Sequence, residues 1–314
     1  MSDKPSAILV TGAAGFIGSH TCERLLAEGH RVVGVDNFRT GKRENLATTA
    51  TMKGFRFVEA DVAREGALQA LVAEAKPDAI VHLAALVSVP ESVANPEENF
   101  RLNVLATQRV AEAARRHGVG RVVFASSAAV YGDLAELPLH EAMVGRPISP
   151  YGAAKLASEA LLLGHAAAFG FTAFCLRYFN VYGPRQDPRS PYSGVISVFA
   201  ERMRSGTAPA IFGDGGQTRD FIFVGDVARA NALAATKSGV RSGVANICTG
   251  QPTGLKELAA ALGKLFPAAP APVYREARAG DIRASLGSPA TAKRELGFAA
   301  EVKLVDGLEK LVHA

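Results

Sequence analysis

Ala7-Ile8-Leu9-Val10-Thr11-Gly12-Ala13-Ala14-Gly15-Phe16-Ile17-Gly18 is the stretch that decides the fold. Ala7 to Val10 is an apolar run of strand length, the glycines follow with Gly-x-x-Gly-x-x-Gly spacing, and Ser19 to Glu28 carries a helical pattern. Strand, glycine turn and helix in that order open a dinucleotide-binding unit. Gly12 permits the tight turn, Gly15 lets backbone amides approach a pyrophosphate, and Gly18 lets the helix pack closely on the strand. The helix amino terminus then faces the phosphates. The next apolar strand, Arg31 to Val35, leads into Asp36, 18 residues beyond Gly18, where a carboxylate can accept from ribose hydroxyls. Asp36 favours NAD, because it would repel a 2′-phosphate; Arg39, Lys42 and Arg43 close behind it keep NADP open as the alternative. Asp61, after the strand Phe55 to Ala60, can accept from an adenine amino group or simply turn the chain.

The alternation continues outward from this unit. Strands are expected near 7–11, 31–36, 55–60, 79–83 and 121–126, with helices near 16–28, 65–75, 99–117 and 151–169. The fold class is α/β, a doubly wound parallel Rossmann sheet. After residue 178 the pattern gives way to Gly- and Pro-rich stretches such as Tyr182-Gly183-Pro184 and Phe212-Gly213-Asp214-Gly215-Gly216, read as a smaller, loop-rich substrate domain. Residues 1–178 are assigned to the NAD-binding domain and 179–314 mainly to the substrate domain. The strands Thr172 to Leu176 and Val244 to Ile247 are expected in the main sheet, so segments near 220–250 return to the first domain.

With 314 residues and 48% hydrophobic content, the chain can bury a full core and is not a disordered protein. Its net charge of +5 is spread along the chain rather than massed, so no nucleic-acid role is expected, and a small anionic substrate suits it better. Cys22, Cys175 and Cys248 lack Cys-x-x-Cys spacing and sit in apolar contexts, which makes them reduced core residues; no metal site is expected. The absence of a signal-type start and of an apolar run of membrane-spanning length points to a cytoplasmic protein without membrane association.

Tyr151 and Lys155, in Tyr151-Gly152-Ala153-Ala154-Lys155, sit one helical turn apart on one face of a good helix former. Ser127 lies upstream in Ala125-Ser126-Ser127-Ala128-Ala129-Val130-Tyr131-Gly132. A phenol keeps its proton to a pH of roughly 10, but an ammonium one turn away and a cationic cofactor ring both favour the phenolate. Tyr151 is therefore expected to act as a base near neutral pH.

With the glycine turn, Asp36, Asp61, Ser127 and the Tyr151/Lys155 pair in order, the chain resembles the extended short-chain dehydrogenase/reductase family over nearly its whole length. Within it, Asp36-Asn37-Phe38-Arg39-Thr40-Gly41-Lys42 and His82-Leu83-Ala84-Ala85 are similar to the UDP-sugar 4-epimerases. The family's catalytic serine lies four residues before a Tyr-Gly pair, here Tyr131-Gly132, which selects Ser127; Ser126 is expected to pack or bond locally. The resemblance implies that NAD takes a hydride from carbon 4 of the sugar while Tyr151 removes the hydroxyl proton. Ser127 would hold the same oxygen, and Lys155 would bind the nicotinamide ribose and keep Tyr151 ionised. The keto sugar turns over and takes the hydride back on its other face. The implied cofactor contacts are Gly12, Gly15, Phe16, Ile17, Gly18, Asp36, Asn37, Thr40, Gly41, Asp61, Val62, Leu83, Ala84, Ala85, Asn103 and Phe179, besides Tyr151 and Lys155. Val87 departs from a lysine that some galactose epimerases carry.

On the substrate side, Arg219 and Arg278 match family motifs and suit a diphosphate, since each guanidinium can donate paired hydrogen bonds. Asp281 follows in Arg278-Ala279-Gly280-Asp281. Asn180 resembles an amide that contacts the sugar or diphosphate and favours a neutral sugar over a uronic acid. Ser88 and the stretch Tyr192 to Ile196, with Val195, either line the pocket or pack locally. Ser285 matches a position where a large tyrosine excludes N-acetylated sugars, so a serine leaves room for an acetamido group. UDP-N-acetylglucosamine and UDP-N-acetylgalactosamine are the favoured pair, with UDP-glucose and UDP-galactose possible. UDP-glucuronic acid 4-epimerisation, another NDP-sugar modification, or NAD sensing on the same fold are the alternatives; dehydratases and decarboxylases carry acids beside the serine, where this chain has Ala128 and Ala129. A homodimer is the family expectation, through the helices near 99–117 and 151–169; the stripe Leu156, Ala160, Leu163, Ala167 fits that or packing on its own sheet.

Overall fold

The structure, a computed structural model, describes residues 6–188, 194–277 and 282–313. In chain order the strands are β1 (Ala7–Thr11), β2 (Arg31–Asp36), β3 (Phe55–Glu59), β4 (Ala79–His82), β5 (Arg121–Ser127), β6 (Thr172–Tyr178), β7 (Asn180–Tyr182), β8 (Ala210–Phe212), β9 (Thr218–Phe223), β10 (Gly243–Ile247), β11 (Pro252–Gly254) and β12 (Val273–Arg275). The main sheet has seven strands in the order β10-β6-β5-β4-β1-β2-β3, and every pairing in it is parallel. The chain winds outward from β1 to β3, then restarts on the other side of β1 at β4. That reversal opens a crevice at the carboxyl ends of β1 and β4, where such sheets bind ligands.

A parallel sheet must be covered on both faces, and the strand sequences are apolar on both. Ile8, Val10, Val81, Val123 and Phe174 pack on one side with Cys22 and Leu25 of the helix Phe16–Ala27 and with the helix Val224–Thr236. Leu9, Ile80, Val122 and Cys175 pack on the other with Leu68 and Val72 of the helix Ala67–Ala75, Val110 of Ala106–His117, and Leu162 and Ala166 of Pro150–Phe169. Each such buried aliphatic side chain contributes about 1.5–3 kcal/mol relative to an exposed one.

The chain after residue 178 serves both parts of the molecule. β10 and the helix Val224–Thr236 complete the main sheet, with Asn231 accepting from Tyr178 Oη at 2.6 Å and donating to Thr21 Oγ1 at 3.0 Å. β11, β9 and β7 form a separate small sheet, and β12 pairs with β8. These lie over a further core built from Phe199, Ile211, Phe221, Leu258 and Leu308.

The helix expected at 99–117 begins earlier and is not uniform. It runs as Pro96–Asn99, a π turn Phe100–Leu105, and then Ala106–His117. The π turn seats Asn103, whose amide nitrogen donates to Leu86 O at 3.0 Å and Asn99 Oδ1 at 2.7 Å, while its oxygen accepts from Leu86 N at 3.2 Å. Widened turns of this kind gather at functional sites. In the helix Pro150–Phe169, Ser149 Oγ caps Gly152 N at 3.1 Å, and the buried face carries Tyr151, Lys155, Ser158, Glu159, Leu162 and Ala166. Leu156 and Leu163 are half-buried and Ala160 and Ala167 exposed, so the stripe anticipated from sequence flanks that face.

Candidate active site

The glycine turn is a cradle with no room for side chains. A Cβ on Gly18 would lie 1.9 Å from Gly12 O, and one on Gly12, whose φ is +72°, would lie 2.8 Å from Ala84 N. Phe16 and Ile17 are half-buried at the open amino terminus of their helix. This is the shape a pyrophosphate needs at a helix start.

Asp36 is buried at the end of β2 and accepts from Ala14 N at 3.0 Å and Phe38 N at 2.8 Å. Burial raises its pKa, and the backbone donors act in the opposite direction. A Cβ on Gly41 would meet both carboxylate oxygens at 2.9 Å, so Gly41 keeps the approach to Asp36 clear. Asn37 and Thr40 are exposed beside it. The neighbouring cations are all engaged elsewhere: Arg39 with Glu91, Lys42 with Asp187 at 2.8 Å, and Arg43 with Glu59 at 2.7 Å and over the Phe38 ring. A buried carboxylate with paired cations around it fits ribose hydroxyls and opposes a 2′-phosphate.

Asp61 accepts from Ala63 N at 2.8 Å, as a turn residue does, and from Arg101 Nη1 at 3.1 Å, a partner the sequence did not announce. Val62 beside it is buried. After β4, Leu83 N and Ala84 N both lie 3.2 Å from Thr11 Oγ1, which also bonds His82 Nδ1 at 2.8 Å. Leu83, Ala84 and Ala85 are half-buried along the crevice. Burial brings the His82 pKa down to about 3, so this imidazole is neutral.

The trio assembles at the carboxyl end of β5. Ser127 ends the strand, and its Oγ accepts from Ala129 N at 3.1 Å. Tyr151 is buried in the first turn of its helix, where Tyr151 N donates to Ser92 Oγ at 3.1 Å. Lys155 is 3% exposed; Nζ donates to Ala125 O at 2.8 Å and lies 5.8 Å from the Tyr151 ring centre. Burial lowers the Lys155 pKa to about 7, with Glu159 acting against that fall. Burial raises the pKa of Tyr151, and its bond with Ser127 pulls the other way. The low-pKa phenol expected from sequence is therefore not a property of the chain alone. Desolvation penalises both charged forms, and of the two cations expected near the phenol only Lys155 belongs to the polypeptide.

Ser126 does not bond locally: its Oγ donates to Glu159, 33 residues on. Asn180 starts β7 two residues beyond Tyr178, which pairs with Ser127 across β5 and β6, so it lies at the same end of the sheet as the trio. Phe179 is buried there, packed against Gly287 and near Cys248. Arg219, on β9, is half-buried, and Nη1 donates to Thr218 O at 2.9 Å. Ser285 N donates to Thr218 O at 3.1 Å, so the segments of Arg219 and Ser285 run side by side. Asp220, missed in the sequence, fastens these pieces: its buried carboxylate accepts from Thr249 N at 2.8 Å, Gly250 N at 2.9 Å and Gly287 N at 3.4 Å. Ser88 caps the helix Val89–Ala94 by accepting from Glu91 N at 2.8 Å, and Val195 packs into the core of the smaller part. Tyr192, Arg278 and Asp281 lie outside the described residues. Among the described residues no group of His, Cys, Asp and Glu is arranged to hold a metal, and no helix is long and apolar enough to cross a membrane.

A glycine cradle, a ribose-type carboxylate and a Ser-Tyr-Lys trio on one doubly wound sheet define an NAD-dependent enzyme of the short-chain dehydrogenase/reductase type. Residues 8–248 match the NAD dependent epimerase/dehydratase family, and the chain belongs to it. It is 42% identical over 305 residues to the UDP-glucose 4-epimerase of Mycolicibacterium smegmatis, covering 97% of this chain and 96% of that protein. The crystal structure of a Thermotoga maritima UDP-glucose 4-epimerase with UDP-glucose superposes with a TM-score of 0.92 at 38% identity, over 98% of this chain and 97% of that one. A UDP-N-acetylglucosamine 4-epimerase from Methanobrevibacter ruminantium, in complex with UDP-N-acetylmuramic acid, gives 0.93 at 34% identity, over 99% and 98%.

Proposed function

We propose that this enzyme inverts carbon 4 of a UDP-hexose by way of a 4-keto sugar. UDP-N-acetylglucosamine and UDP-N-acetylgalactosamine are the favoured pair, and UDP-glucose and UDP-galactose are also accepted. The observation that carries the reading is that Tyr151 and Lys155 are buried one turn apart on one helix face, Lys155 Nζ 5.8 Å from the Tyr151 ring centre, at the end of β5 where Ser127 sits, with the alanines 128 and 129 where a dehydratase would need an acid. NAD, when bound, supplies the hydride acceptor and donor. Gly12, Gly15 and the start of the helix Phe16–Ala27 would hold its pyrophosphate, and Asp36 its adenosine ribose. Tyr151 takes the proton of the 4-hydroxyl and returns it, and Ser127 steadies the same oxygen by a hydrogen bond. Lys155 supplies positive charge beneath the phenol. Arg219 and Arg278 are assigned to the diphosphate and Asn180 to a neutral sugar. Ser285, whose amide donates to Thr218 O, is assigned the position where a small side chain leaves room for an acetamido group.

The test is incubation of the purified protein with UDP-N-acetylglucosamine, UDP-glucose and UDP-glucuronic acid separately, with products identified by NMR. The expected result is the 4-epimer of the first two, faster with the acetamido sugar. A 4-keto-6-deoxy or decarboxylated product would sink the epimerase reading, and a preference for UDP-glucuronic acid would overturn the substrate assignment.

A further inference from the structure

Tyr151, Lys155 and Glu159 follow one another at four-residue spacing on the buried face of the helix Pro150–Phe169. The first two belong to the trio; Glu159, 3% exposed, has no part in it so far. Its carboxylate accepts a paired set of bonds from Arg177, Nε to Oε1 at 2.9 Å and Nη2 to Oε2 at 2.7 Å, and a third from Ser126 Oγ. Arg177 in turn lies 4.8 Å from the centre of the Tyr131 ring, and Tyr131 Oη donates to Asn246 Oδ1 at 2.7 Å. Lys155 and Glu159 thus grip consecutive residues of β5, Ala125 and Ser126, immediately before Ser127.

A buried ion pair is weak evidence of stabilisation, since well-packed apolar side chains of the same volume often do as well or better. Its place one helical turn from Lys155 suggests what it does. We propose that Glu159, anchored by Arg177, is a positioning residue for the reaction, holding the Ser126-Ser127 segment of β5 and the helix turn that carries Lys155 in register beneath Tyr151. The proposal rests on the reading of the trio as a proton-transfer site.

The charged and titratable groups around these residues are few. His82 faces Lys155 from β4 and is neutral, as burial takes its pKa to about 3. Cys175 and Arg177 face Glu159 from β6, Tyr131 faces Arg177, and Tyr178 faces Tyr151. The Glu159 carboxylate one turn on raises the Lys155 pKa against the fall that burial causes. Its negative charge would also repel a Tyr151 phenolate, but at 1.5 Å rise per residue it stands about 6 Å along the helix from Lys155 and about 12 Å from Tyr151. The effect through Lys155 therefore dominates. Arg177 cancels part of the charge, which puts the expected shift at the low end for an opposite charge nearby, about one pH unit.

The variants are Glu159→Gln and the double replacement Glu159→Gln with Arg177→Met, which leaves no buried charge unpartnered. On NAD-loaded protein the pH dependence of kcat is measured, together with ionisation of Tyr151 by ultraviolet difference titration against the same variants carrying Tyr151→Phe. Without Glu159, Lys155 loses its proton at lower pH and Tyr151 ionises at higher pH. The ascending limb of kcat and the Tyr151 titration should both move up, by no more than the roughly one unit expected at Lys155, which is at most about a tenfold loss of rate at the foot of the limb, with KM little changed. Glu159→Asp should restore much of the limb. If Glu159→Gln fails to fold, the double variant decides. A folded double variant with limb and titration at their wild-type positions would overturn the proposal, as would failure of that neutral pair to fold, which would make the pair structural. An inactive wild-type enzyme refutes the epimerase reading instead, and the Tyr151 titration still decides the role of Glu159.

Discussion

Replacing Lys155 by methionine should stabilise the nucleotide-free chain at neutral pH while abolishing turnover. Lys155 is buried, and its pKa falls from 10.5 to about 7 on folding. At pH 7 the unfolded chain carries this proton fully and the folded chain carries it half the time. At about 1.4 kcal/mol per unit, the difference costs the folded state about 4 kcal/mol. Methionine keeps most of the apolar stem but loses the bond to Ala125 O, worth about 2 kcal/mol for a charged donor, so a net gain of about 2 kcal/mol remains. The sign with pH follows from the depressed value. Between about 7 and 10.5 the unfolded lysine holds more protons than the folded one, so wild-type stability climbs through that window and is flat outside it. The variant lacks this climb. Urea unfolding at about pH 6.5 and about pH 9.5 should show the variant ahead at the lower pH and level or behind at the higher. A gap that is the same at both pH values, or a wild type more stable than the variant at the lower one, would show that Lys155 keeps its ordinary pKa on folding.

Tyr151→Phe should remove nearly all epimerisation while NAD remains bound, which product analysis and nucleotide content measure together; retained activity would take the base role from Tyr151. In Gly18→Ala the new methyl would stand 1.9 Å from Gly12 O, so the turn must open, at a cost of about 2–3 kcal/mol. That variant should purify with less NAD and unfold at lower temperature, and full nucleotide content at wild-type Tm would show the cradle to be looser than its geometry. Ser285→Tyr should slow the acetamido sugar selectively; equal loss on both sugar pairs would count against a size gate at that position.

The main sheet was legible because a parallel sheet buried on both faces writes its strands as short apolar runs, and the six expected from Ala7 to Leu176 appear at nearly the expected bounds. The π turn at Phe100–Leu105 was not legible. A helix pattern does not change when one turn widens to seat an amide, and only the tertiary bonds of Asn103 to Leu86 show why it does. Asp61 left two readings open in the sequence, an adenine acceptor and a turn residue; it makes the turn bond to Ala63 N, and its bond to Arg101 joins residues 40 apart that no local spacing connects. Glu159 was visible as the third member of a four-residue spacing, Tyr151, Lys155, Glu159, but carried no signal beyond a helical acid. Its meaning comes from Arg177 and Ser126, which reach it from the strands β6 and β5.

The trio itself shows where spacing stops being enough. One turn of helix brings an ammonium beneath a phenol, and in water that would favour the phenolate; in this site burial acts on both partners and in opposite directions. It raises the pKa of Tyr151 and lowers that of Lys155 to about 7, so the bare chain gives up the lysine proton before the phenol's. The same dry surroundings make every remaining charge count for more, because attraction grows as the dielectric falls. Positive charge beyond Lys155 is then needed to ionise Tyr151, and negative charge near Lys155 is needed to keep its own proton. A site of this kind is tuned by residues one shell out from the reacting atoms, which is why a glutamate bound to an arginine inside the core bears on the proton of a tyrosine two turns away.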